Sequence, residues 1–76
     1  MKIEMFALYK DYFESRFELE PVGTIPELRK KLVQLNPEAS DVLSLARFAV
    51  NDRFIDEQFM LSADDTIAVI PPGSGG

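Results

Sequence analysis

The chemistry open to this chain is narrow. Its 76 residues include no cysteine and no histidine. Disulfides, thiolate ligands, cysteine nucleophiles, histidine metal sites and His-based triads are therefore all excluded. Carboxylates, lysines, hydroxyls and the chain ends remain, a poor set for a self-sufficient enzyme. One stretch stands apart. In "AVIPPGSGG" an apolar, strand-like run meets Pro71 and Pro72 and then finishes on Gly75 and Gly76. Such an end is either a cloning linker or a carboxylate put to chemical use. A terminal carboxylate has an ordinary pKa of about 3.3–3.7 and is ionised at neutral pH. It is then a poor electrophile and reacts only after activation.

The residue types suit the second use. Glycine has no side chain, so Gly75 and Gly76 can enter a narrow site and take backbone angles closed to other residues. The six residues from Pro71 onward, Pro71, Pro72, Gly73, Ser74, Gly75 and Gly76, span about 20 Å at most when extended. Pro71 and Pro72 stiffen the base of such a tail and lower the entropy lost on ordering it. The expected organisation is one folded domain over residues 1–70 and a tail over residues 71–76.

The elements that must hold this tail can be read from periodicity. Lys2 to Leu8 alternates as a strand, with Ile3, Met5 and Ala7 on one face and Lys2, Glu4, Phe6 and Leu8 on the other. Glu14 to Glu20 reads as a second strand, joined by a short hairpin-like loop. "TIPELRKKLVQLN" is the clearest helix. Thr24 and Glu27 have capping-box spacing, and Pro26 sits in the first turn, where its missing N–H costs nothing. Ile25, Leu28, Leu32 and Leu35 mark a buried stripe. Glu27 and Lys31 are spaced as an ion pair, and Pro37 ends the run. Arg29, Lys30 and Lys31 read as the solvated face. "PEASDVLSLA" reads as a short helix or turn. "RFAV", an Asn51-Asp52 turn and "RFI" form a hairpin, and "TIAVI" is the last strand. The Asp64-Asp65 pair reads as a plain turn, since a calcium loop needs several spaced oxygens.

The order of elements predicts an α+β domain with one principal helix across a mixed sheet. The sheet face away from that helix should be polar, yet Phe6 shares it with Lys2 and Glu4, and Ile70 shares it with Thr66 and Ala68. Phe54 follows the turn. Phe6, Phe54 and Ile70 are therefore expected to form an apolar patch beside the tail, of the kind that marks a partner contact.

Charge narrows the partners. Eight Lys and Arg against thirteen Asp and Glu give a net charge of −5, which argues against nucleic acid. No Lys or Arg follows Arg53, whereas Asp56, Glu57, Asp64 and Asp65 do. That acidic third suggests a basic partner surface, or simply solubility. No apolar stretch approaches the roughly 20 residues of a membrane span, and "MKIEMF" lacks the apolar core of a signal peptide. Neither a membrane nor an exported protein is expected.

"MKIEMFA", "TIPELRKKL" and "FAVNDRFIDEQFMLSADDTIAVIPPGSGG" together resemble the small sulfur-carrier subunits of molybdopterin synthase, the MoaD type. The resemblance covers the first strand, the helix and the last third of the chain; Asn36 to Arg47 match nothing in it. It implies a ubiquitin-like β-grasp fold and a cytoplasmic protein that is not itself an enzyme. Gly76 would be adenylated by an activating enzyme using ATP, then converted to a thiocarboxylate, with Gly75 supporting it. Phe6, Phe54 and Ile70 match positions that contact the large subunit, which supplies the catalytic lysines in a heterotetramer. Sulfur would pass to a cyclic pterin phosphate. No bound cofactor or metal is implied. The alternatives are a thiamine-type sulfur carrier and a ubiquitin-like modifier of proteins. This chain departs from the family at Ala63-Asp64-Asp65, commonly Asp-Gly-Asp, and at Gly73, usually larger and apolar, where a looser tail is expected.

Overall fold

The computed structural model describes residues 1–73. Five strands form one mixed sheet: β1 (Lys2–Met5), β2 (Arg16–Glu18), β3 (Arg47–Val50), β4 (Arg53–Phe54) and β5 (Thr66–Ile70), in the spatial order β2-β1-β5-β3-β4. β1 and β5 run parallel at the centre, and the other pairings are antiparallel. Helix α1 (Ile25–Leu35) packs across one face, and a 3-10 turn at Pro37–Ala39 leads into the short α2 (Ser40–Ser44). This is the α+β, ubiquitin-like β-grasp arrangement that the order of elements and the resemblance implied. Among the described residues, no helix is long and apolar enough to cross a membrane.

Strand parity builds the core. Ile3 and Met5 of β1, Phe48 and Val50 of β3, and Ile67 and Val69 of β5 are buried on the helix side. They meet Ile25, Leu28 and Leu32 of α1, each with no exposed surface. Burying an aliphatic side chain of this size contributes roughly 1.5–3 kcal/mol, so this layer is the main source of stability. Thr24 caps α1: its hydroxyl accepts from Glu27 N at 3.3 Å, while the Glu27 carboxylate accepts from Gly23 N at 3.2 Å.

Four sequence-based expectations are corrected. β1 ends at Met5, not Leu8, because Ala7 takes a left-handed φ of 52° and turns the chain into a 3-10 helix, Ala7–Asp11. That helix drives Tyr9 into the core, where its hydroxyl donates to Val42 O at 2.8 Å. Leu35 is 54% exposed; it is the last residue of α1, where the chain leaves the helix at Asn36. Glu27 is committed to the cap, so Lys31 instead lies 4.0 Å from Glu20. Arg29 leaves the solvated face. It donates to Leu43 O at 2.7 Å and Ala46 O at 3.2 Å, and pairs with Glu57 at 2.6 Å.

Candidate functional site

The open face of the sheet is built by the same parity that builds the core. The β1–β5 register pairs Glu4 with Ala68 and Met5 with Val69. Phe6 N then donates to Val69 O at 3.1 Å and continues that ladder toward Ile70. The β3–β5 register sets Arg47 opposite Ile70 and Ala49 opposite Ala68. The β3–β4 register sets Phe54 opposite Ala49. Phe6, Ile70, Ala68, Ala49 and Phe54 therefore belong to one face, the one α1 leaves uncovered. Phe6 is 43% exposed and Phe54 41%, while Ile70 is half-buried.

Local conformation holds each apolar residue there. Phe6 is itself extended, and the left-handed Ala7 directly after it takes the chain off the sheet. Phe6 is thus left at the end of β1 with no strand residue beyond it. Phe54 is held by a two-residue hairpin in which Asn51 and Asp52 both have positive φ, 51° and 70°. This is the primed turn that matches the twist of the flanking strands. Ala49, though buried, is not part of the helix-side core cluster; its small side chain leaves the middle of the open face low. A depression of about 350 Å³ lies there, lined by Glu4, Ala49, Asn51, Asp52, Thr66 and Ala68.

β5 delivers the chain from this face directly into Pro71 and Pro72. Pro71 is half-buried against the domain and Pro72 is exposed. Gly73 takes a φ of 79° with open space around it, so its backbone angle, not crowding, favours glycine. The order Pro72-Gly73 suits a turn that needs positive φ at its third position. The structure thus gives Gly73 a turn conformation that the expectation from its small size did not include. Ser74, Gly75 and Gly76, the remainder of the expected tail, lie outside the described residues.

Arg47 joins the face although the sequence reading did not single it out. Its guanidinium lies 4.0 Å from the centroid of the Phe54 ring. The signal was available: Arg47 shares parity with Ala49, and the two-residue turn makes it the diagonal neighbour of Phe54 across the hairpin. The acidic third is less available to a partner than its composition suggested. Glu57 pairs with Arg29, Asp56 accepts from Gln58 N at 2.9 Å, and Asp65 accepts from Ser62 N at 2.7 Å. These carboxylates close local turns and anchor a loop.

Comparison with known proteins agrees with this geometry. The ThiS family model matches residues 3–76. The molybdopterin synthase sulfur carrier subunit of Dictyostelium discoideum is 36% identical over 81 residues, covering 99% of this chain and 94% of the relative. Among solved structures, the complex of subunits 1 and 2 of molybdopterin-converting factor from Helicobacter pylori contains a chain with a TM-score of 0.69 and 26% identity. That match covers 99% of this chain and 96% of the other. SAMP1 from Haloferax volcanii matches with a TM-score of 0.71 at 22% identity, over 99% of this chain and 97% of that one, a likeness of fold alone.

Proposed function

The chain belongs to the ThiS family, and from that membership we propose that it is the sulfur-carrier small subunit of a molybdopterin synthase. The observation that carries the reading is the open sheet face. An exposed Phe6, with Ile70 and Phe54 on the same face, runs straight onto Pro71 and Pro72. A docking surface and a tail are thus continuous, and a partner can hold the domain while the tail enters its interior. In this reading residues 1–70 are the docking domain and residues 71–76 the reactive tail.

Gly76 is the proposed reacting residue. Its carboxylate attacks the α-phosphate of ATP within an activating enzyme, releasing pyrophosphate and forming an acyl-adenylate. A reduced sulfur nucleophile then displaces AMP and leaves a thiocarboxylate. The large subunit binds the Phe6, Ile70 and Phe54 face, in a heterotetramer, and supplies the catalytic groups. Sulfur passes there to the cyclic pterin phosphate. ATP is a co-substrate of the activating enzyme and not a cofactor of this chain. The reading carries a cytoplasmic location, where ATP and that enzyme are at hand.

The test is the intact mass of the untagged protein after incubation with ATP, the activating enzyme and a sulfur source. A gain equal to sulfur for oxygen, localised to Gly76 and absent when Gly76 is deleted, supports the reading. No gain, with the activating enzyme competent on another carrier, refutes it. Isopeptide conjugates of Gly76 in cell extract would instead identify a protein modifier.

A further inference from the structure

Arg47 is held at the root of the tail. Its partner across the β3–β5 register is Ile70, the last residue before Pro71, and its guanidinium rests on the Phe54 ring at 4.0 Å. Among the described residues the ion pairs are Arg16–Glu4, Arg29–Glu57 and Lys31–Glu20, and Arg47 takes part in none of them. Asp56, two residues beyond Phe54, gives its carboxylate to Gln58 N instead. On the same face Glu4 is already neutralised, with Arg16 at 2.8 Å. Among the described residues, the tail end of the open face therefore presents Arg47 as a cation without an ion-pair partner, set among apolar side chains.

Covering that face would bury the cation. An unpaired buried charge is strongly unfavourable, whereas an arginine fork matched by a carboxylate is favoured by geometry as well as charge. Stacking on Phe54 already restricts the guanidinium, so little rotamer freedom is left to lose on binding. A nucleotide or pterin phosphate is a poor match for Arg47. Six residues follow Ile70, a reach of up to about 20 Å, so in the carrier reading, where the tail extends into a partner's interior, chemistry at Gly76 is expected away from this side chain. The counter-charge must belong to the surface that meets the domain itself.

We propose that Arg47 is the polar anchor of the docking face, and that the large subunit meets it with a carboxylate set in the rim of an apolar socket. This rests on the sulfur-carrier reading above. The experiment titrates wild-type protein and Arg47 variants into the large subunit of molybdopterin synthase from the same organism, at low and high salt. Arg47→Leu should weaken binding by at least about 30-fold and Arg47→Glu by about 1,000-fold. The salt dependence of the wild type should be largely lost in Arg47→Leu and kept in Arg47→Lys. All three variants should keep far-UV circular dichroism spectra like that of the wild type, which separates lost docking from lost folding. Arg47→Leu binding as tightly as wild type, with the same salt dependence, overturns the proposal and leaves the carrier reading standing. A wild-type protein that does not bind the large subunit at all overturns both.

Discussion

Replacing Arg29 by alanine should be among the most damaging single changes on the surface of this domain. Its side chain is only 20% exposed. It donates to two carbonyls at the end of α2, Leu43 O at 2.7 Å and Ala46 O at 3.2 Å, and its guanidinium lies 4.9 Å from the Phe48 ring centroid. Hydrogen bonds from a charged donor contribute about 1.5–3 kcal/mol each, and a cation–π contact about 0.5–1 kcal/mol. These contributions share one side chain and do not add fully. The expected loss for Arg29→Ala is therefore about 3 kcal/mol. A domain of this length has roughly 4–11 kcal/mol in total, and the loss corresponds to a fall in melting temperature of about 20 °C. Glu57, 56% exposed in the same pair, should matter much less; Glu57→Ala should cost under about 1 kcal/mol. Urea unfolding followed by far-UV circular dichroism would give both values. Arg29→Met, which keeps the stem but not the donors, should fall close to Arg29→Ala. The reasoning is refuted if Arg29→Ala stays within about 0.5 kcal/mol of wild type, or if Glu57→Ala costs as much, since the pair and not the carbonyl bonds would then dominate.

Phe6→Arg should leave the fold intact, because its side chain lies outside the core, and should abolish capture of the large subunit in a pull-down; normal capture would remove Phe6 from the docking face. Asp52→Gly should stabilise the domain by about 0.5 kcal/mol, or about 3 °C, because the φ of 70° at Asp52 suits glycine in a primed turn; a melting scan showing a loss would contradict that account. Tyr9→Phe should cost about 1 kcal/mol at neutral pH by leaving Val42 O without its donor. Burial holds the Tyr9 phenol above its ordinary value of 10.0, opposed by the charge of Arg29. Above pH 10 the unfolded chain loses that proton before the folded one, so wild-type stability should fall as pH rises further. The advantage over Tyr9→Phe should then shrink, which urea titrations at neutral and alkaline pH would detect.

Much of this fold is legible because parity and helical period report on local geometry. Ile67 and Val69 point to α1 while Thr66, Ala68 and Ile70 point away, as strict alternation along "TIAVI" requires. The same rule puts Phe6 and Ile70 on the outer faces of their own strands, while the pairings of β1, β3, β4 and β5 bring them and Phe54 to one face. Strand ends were less legible. Nothing in the types of Phe6 and Ala7 announces a left-handed alanine; it follows from the demand to bury Tyr9 beneath α2, a contact between residues 33 apart. The stripe of α1 does not extend to Leu35, since periodicity marks a face but not how far along the helix that face stays covered.

The two arginines show why charge patterns were the hardest part to read. Arg29 sits in a run of three cations that looks like a solvated helix face, yet α2 brings carbonyl oxygens to it and Glu57 arrives from a loop 28 residues away. Arg47 sits alone in an apolar strand with no charge pattern around it, yet the hairpin supplies a ring for its guanidinium and β5 sets it beside the tail. In both cases the sequence gives a charge its position in the chain, and only tertiary pairing decides whether that charge is satisfied. The satisfied arginine belongs to stability. The other takes part in no ion pair among the described residues, and that difference makes Arg29 the residue to test by unfolding and Arg47 the residue to test by binding.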